Sequence, residues 1–164
     1  MAINIAYAAD TQPACTLGSL AGSSTFIAGR EAAFLDNTSN LYDDILLSGT
    51  IKAGTTPTAG QVALVYVFTP VNDTPTWPDQ MTGTDAARNL TSANNGSGFL
   101  KLAAVITMTA TSNEVYSFGQ ISIAQLFGGI LPPRVGIFVT HNNTNALNAS
   151  GHEISAQGIT YTVT

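Results

Sequence analysis

Charge is scarce in this sequence of 164 residues: charged side chains make up 9% of it, against 45% apolar ones. The five basic residues, Arg30, Lys52, Arg88, Lys101 and Arg134, are widely separated, and ten acidic residues bring the formal net charge to −5. Tracking a nucleic-acid backbone takes clustered Lys and Arg, so no nucleic-acid partner is expected. Cysteine is reduced to Cys15, which cannot close a disulfide within the chain and, with Ala14 and Leu17 near it, reads as a small packing residue. Long apolar runs are missing too. No stretch approaches membrane-spanning length, and MAINIAYAAD has neither a basic segment nor a long apolar core, which argues against a secretory signal and a membrane partner. With no long helical pattern, fixed-period repeat or linker, the expectation is one domain over residues 1–164.

What the chain does contain is Thr, Ser, Asn, Gln and Gly set among short apolar stretches, the composition of a β protein with solvated loops. The clearest stretch is QVALVYVF at 61–68, bounded by Gly60 and Pro70. Its length and its β-branched and aromatic content predict a central strand with Val62, Leu64, Tyr66 and Phe68 on one face and Ala63, Val65 and Val67 on the other. Neither face suits water. A second sheet should cover one, and a flanking segment or another protein the other.

Taken in order, Ile3, Ile5 and Tyr7 alternate with Asn4, Ala6 and Ala8, so residues 1–10 read as an edge strand or an arm that pairs with a neighbour. Residues 14–34 read as two or three short strands divided by Gly18, Gly22 and Gly29. Residues 41–53 predict a long strand bulged at Gly49, passing through GTTPTAG at 54–60 as a hairpin loop into the central strand. Residues 69–98 hold Pro70, Pro75, Pro78, three aspartates and the only tryptophan, Trp77, and read as one long, functional loop. Further strands are expected at 99–108, 115–123, 134–140 and 152–164, with one helical turn at 124–127 stopped by Gly128 and Gly129. Together these make an all-β, antiparallel β-sandwich, jelly-roll-like, with one long loop.

Chemistry is harder to find. His141 and His152 flank NNTNALNASG and with Glu153 make a three-ligand metal site on paper, but loop residues solvated at opposite strand ends explain them better. Asp43 and Asp44 are adjacent, so on a strand they point to opposite faces and read as a solvated strand start. Asp73, Asp79 and Asp85 share the long loop without the spacing of a calcium motif. No nucleophile elbow, phosphate loop or dinucleotide fingerprint is present, so the chain is not expected to be an enzyme. Trp77 stays open between a lid over the sandwich, a sugar-stacking platform and an interface anchor.

Two stretches, WPDQMTGTDAARNL at 77–90 and FGGILPPRVGIFVTHNNTNALNASGHEISAQGITYTV at 127–163, resemble a family of small tailed-bacteriophage virion structural proteins. In that family an aromatic residue precedes a TGTDAA segment, and an FGG-[IV]-LP turn feeds a strand of the type WGIVV. The counterparts are 82–87, 127–132 and 135–139, with Val135 where the family has an aromatic. MAINI and the DNT-x-N-L stretch at 36–41 fit too, so the similarity covers most of the chain. The resemblance implies a β-sandwich subunit of the particle: a capsid decoration or cement protein seated between major capsid subunits. Such a protein is made in the bacterial host cytoplasm, lies on the capsid exterior and is often trimeric. A carbohydrate-binding surface module and a tail or neck protein are the alternatives. The interface candidates are Trp77, Tyr7, Ile5 and Met81, with no catalytic, cofactor or metal residue expected. The expected partners are the major capsid protein and other copies of the chain, as a homotrimer.

Overall fold

The computed structural model describes residues 3–163. The strands are β1 (Ile3–Tyr7), β2 (Ala28–Glu31), β3 (Leu35–Asp36), β4 (Asp44–Lys52), β5 (Val62–Phe68), β6 (Ala86–Asn89), β7 (Lys101–Thr107), β8 (Val115–Ser122), β9 (Arg134–His141) and β10 (Glu153–Val163). Two short helices interrupt them, α1 (Ala93–Phe99) before β7 and α2 (Ile123–Leu126) after β8. One sheet has the order β1-β10-β4-β8, the other β6-β2-β9-β5-β7, with β3 also pairing β9. Every ladder is antiparallel. Without β3 and β6, each sheet has four strands and the chain repeatedly crosses between them, which is the jelly-roll form of a β-sandwich.

The core lies between the sheets. Ala63, Val65 and Val67 of β5, Val135, Ile137 and Val139 of β9, and Leu47 and Ile51 of β4 are fully buried there. Each large aliphatic side chain so enclosed contributes about 2 kcal/mol of apolar transfer. The opposite face of β5 is different: Val62, Leu64 and Tyr66 are only half-buried. The strand enclosed on both faces is β9, buried from Val135 to His141. It lies between β2 and β5 in the sheet order. Its outer side is closed by aromatic rings, and two glycines make the room. A β-carbon on Gly136 would meet the Phe68 ring at 2.3 Å, and one on Gly29 of β2 would meet the Phe138 ring at 2.5 Å.

The bulge in β4 falls between Leu47 and Gly49, as the sequence predicts. The hairpin does not form. β4 pairs with β10 and β8 while β5 pairs with β7 and β9, so the segment between β4 and β5 crosses from one sheet to the other. A loop of this length closes a hairpin or bridges two sheets roughly 10 Å apart, and length alone does not choose between them.

Residues 69–98 are not a single irregular loop, since β6 and α1 lie within or overlap them. α1 has no apolar period in ANNGSGF and depends on its surroundings. Ser92 caps it by accepting the Asn95 N–H, and Gly96 fits against the Leu90 side chain. The turn expected at 124–127 is α2, capped by the Ser122 hydroxyl and ended by Gly128 and Gly129 at φ of +79° and +94°.

Candidate interaction surfaces

The segment after β5 folds back over the outer face of its own sheet and builds a second apolar cluster. Phe68, Met81, Leu90 and Phe138 are its buried members, with Ile27, Tyr66, Trp77, Phe99 and Leu100 packed against them. Trp77 is half-buried, with ring centroids 5.5 Å from Phe34 and 5.6 Å from Phe68, the latter edge to face. This is the lid placement. Met81 is only 4% exposed and spends its apolar surface within the protomer, which leaves little of it for a partner.

The TGTDAAR stretch is held by a buried carboxylate. Glu31, at the end of β2, is fully buried and accepts the backbone N–H groups of Thr82 at 3.0 Å and Gly83 at 2.6 Å, and the Arg88 Nε–H at 2.7 Å. The Arg88 guanidinium also reaches the hydroxyls of Thr82 and Thr84. Beside it, Arg30 pairs with Asp85 at 2.6 Å. Burial pushes the Asp85 carboxyl up, but hydrogen bonds from Arg30 and Thr16 outweigh that and hold it at about 2. An open cleft of about 340 Å³ runs past Arg30 and Arg88, whose charges are already engaged by Asp85 and Glu31.

The other sequence candidates are dispersed. His141 is fully buried at the end of β9, not solvated: its Nε2 lies 2.9 Å from the Leu20 carbonyl, and its Nδ1 has no partner among the described residues. Burial, reinforced by charge on His152, depresses its pKa. His152 is half-buried, accepts the Lys52 N–H at its Nδ1 and lies 2.7 Å from the Asn148 carbonyl through its Nε2. Asp44 is not a solvated strand start either. It is 9% exposed and accepts the N–H groups of Ile45 and Ala124, tying β4 to α2. Asp79 accepts from Thr91, and Asp73 offers its carbonyl to Arg134. Among the described residues no three of His, Cys, Asp and Glu come together as a metal site. Cys15 packs against the core, and burial pushes its thiol up to about 12.

What faces outward is apolar. β1 and the end of β10 form a two-stranded ribbon in which Ile3 pairs with Val163, Ile5 with Tyr161 and Tyr7 with Ile159. Directly paired residues share a face. One face therefore carries Ile3, Ile5, Tyr7, Tyr161 and Val163, exposed by 69, 54, 60, 48 and 63%. Asn4, Ala6, Thr160 and Thr162 line the other. The candidates Ile5 and Tyr7 thus belong to one surface, and Tyr161 and Val163 complete it. Alternation in the last residues signalled a strand, but only pairing with β1 shows that its apolar side joins that of Ile3, Ile5 and Tyr7.

A second exposed feature lies in the resembling motifs. Asn37 clamps Tyr42 through two hydrogen bonds, 2.8 Å from the Tyr42 N–H and 3.0 Å to its carbonyl. Leu41 just before it is held at φ +53° and 71% exposed, an unusual conformation for a branched side chain. It lines an open depression of about 440 Å³ with Leu131 and Pro133 of the FGGILPP turn.

No protein-family model, curated protein or solved structure matches the chain. The arrangement itself is that of a β-sandwich in which Arg30 pairs with Asp85 and Arg88 with Glu31 within the protomer, while apolar residues face outward at the ribbon and around Leu41.

Proposed function

We propose that this chain is a structural protein of a tailed-bacteriophage particle, a decoration or cement subunit. It binds on the capsid exterior where major capsid subunits meet, and it holds the shell against the outward pressure of packaged DNA. Its work is association, with no turnover. The observation that supports this best is the exposed apolar face of the ribbon, which is without charge on an acidic, charge-poor protein and so suits protein contact. The motifs that carry the resemblance have shape-determining jobs consistent with such a role. Glu31 cradles TGTDAAR, Gly128 and Gly129 end α2, and Asn37 clamps the segment before β4. Several copies act together on the shell.

Fractionation tests it. Particles that carry the protein are split into heads and tails and each fraction is quantified by mass spectrometry. The expected result is recovery with the heads in a fixed ratio to the major capsid protein. Recovery with tails alone, or absence from purified particles, contradicts the reading.

A further inference from the structure

The ribbon of β1 and β10 has an open side as well as an open face. The Ala8 N–H donates to the Gly158 carbonyl at 2.9 Å, which fixes the phase of the ladder between these strands. Alternation of an antiparallel ladder then turns the backbone groups of Asn4 and Ala6 toward β10 and those of Ile3, Ile5 and Tyr7 toward the free edge. The other side of β10 is blocked by one residue. Asp43 donates its N–H to the Ile159 carbonyl at 2.8 Å and accepts the Tyr161 N–H on its carboxylate at 2.6 Å. Natural edge strands are commonly protected by lysine, proline or an inward charge, and INIAY has none of these.

We propose that the apolar face of this ribbon is the contact between copies of the chain, seated against the same face of a second copy. Two quantities favour a second copy as the occupant. The five exposed side chains present roughly 500 Å², taking a large side chain as roughly 150–250 Å² in full. Two such faces together bury roughly 1,000 Å², the size at which specific association begins. Charge favours the same geometry. Each copy carries a formal net charge of −5, and the ribbon segments Ile3–Tyr7 and 160–163 contain no ionisable group other than the tyrosines, so the ribbon itself brings no carboxylate to the contact, and the adjoining Asp43 carboxylate is engaged by the Tyr161 N–H. A face seated on its own copy closes in pairs, so this contact makes a dimer and not the trimer that the resemblance implies; the inference deepens the oligomeric part of the proposed function and stands apart from what the oligomer binds.

The test is the mass of the purified full chain at micromolar concentration, by light scattering after size exclusion. The expected mass is twice the 17.0 kDa of one chain. Ile5→Asp should reduce it to that of one chain with the far-ultraviolet dichroism unchanged, whereas Thr162→Asp, on the opposite face, should leave the doubled mass intact. Hydrogen exchange of the unaltered protein above and below its dissociation concentration gives a second readout. Protection at Ala6, Thr160 and Thr162, whose N–H groups join the two strands of the ribbon, should fall on dilution, while that of β9 stays. A monomeric unaltered protein, an Ile5→Asp variant of undiminished mass, or dissociation by Thr162→Asp as readily as by Ile5→Asp would each overturn the proposal. A monomer that still bound capsids would remove the ribbon contact and keep the virion role. An oligomer blind to capsids would do the reverse.

Discussion

The indole of Trp77 fills the space that a side chain at residue 83 would need: a β-carbon on Gly83 would lie 2.6 Å from Cε2 and Cζ2 of the ring. Gly83 also has φ of +74°, so the position excludes larger residues both by backbone conformation and by contact. The same glycine donates its N–H to Glu31. Tryptophan, glycine and buried glutamate therefore form one unit that seals the outer face of the sheet beside β9.

Trp77→Ala should destabilise the protomer by about 2 kcal/mol or more, as expected for loss of a large packed side chain. Self-association should change little. Gly83→Ala should act in the same direction, because the added methyl displaces the ring. Chemical denaturation paired with light scattering checks both. A Trp77→Ala variant that unfolds normally but no longer associates would make this residue an anchor for a partner.

Why Trp77 could be read three ways from the sequence is now plain in physical terms. Its neighbours Pro75 and Pro78 carry no period, and its partners Phe34, Phe68 and Gly83 come from other parts of the chain. The strands with strong alternation or continuous apolar character, such as β5 and β7, were legible as strands, although Leu64 and Tyr66 of β5 and Leu102 of β7 are less enclosed than the pattern implies. β6 and α1 were not, since AARN and ANNGSGF owe their form to pairing with β2 and to the Ser92 cap. The sandwich could be read, but the crossing from β4 to β5 could not, because a loop's length does not say which sheet it reaches. Ile5 and Tyr7 were visible as surface candidates from alternation alone. Leu41 was not, its exposure following from the left-handed turn that the Asn37 clamp sets up.

Glu31 and Arg88 offer a test of the buried cradle. The pair is 2.7 Å apart, with the Glu31 side chain fully enclosed. Arg88→Ala should cost about 3 kcal/mol, since it leaves a buried carboxylate without its counter-charge. Adding Glu31→Gln to that variant should recover part of the loss. Urea denaturation of the single and double variants gives the coupling, and strictly additive losses would mean that the two side chains act independently.

His141 predicts an acid sensitivity. Its pKa is depressed in the fold, chiefly by burial, with the Leu20 carbonyl opposing and His152 adding to the effect. The fold therefore favours the neutral ring. Its contribution is fully present above the ordinary histidine value near 6.5 and is lost as pH falls from there through the lower folded value. The melting temperature should drop as pH falls below about 6.5, and His141→Gln should flatten that drop. Asp85, held at about 2, acts in a separate range, its contribution being lost only as pH falls below the ordinary aspartate value of 3.8. A variant with the same slope below about pH 6.5 would assign the sensitivity to other groups.

The most direct measurement of the proposed role is addition of the purified protein to capsids that lack it, followed by the temperature at which they rupture. Saturable binding in a fixed ratio to the major capsid protein, with a raised rupture temperature, is the predicted result. Capsids that fail to bind the protein, or bind it with no change in rupture temperature, would contradict the assignment as a shell-stabilising subunit.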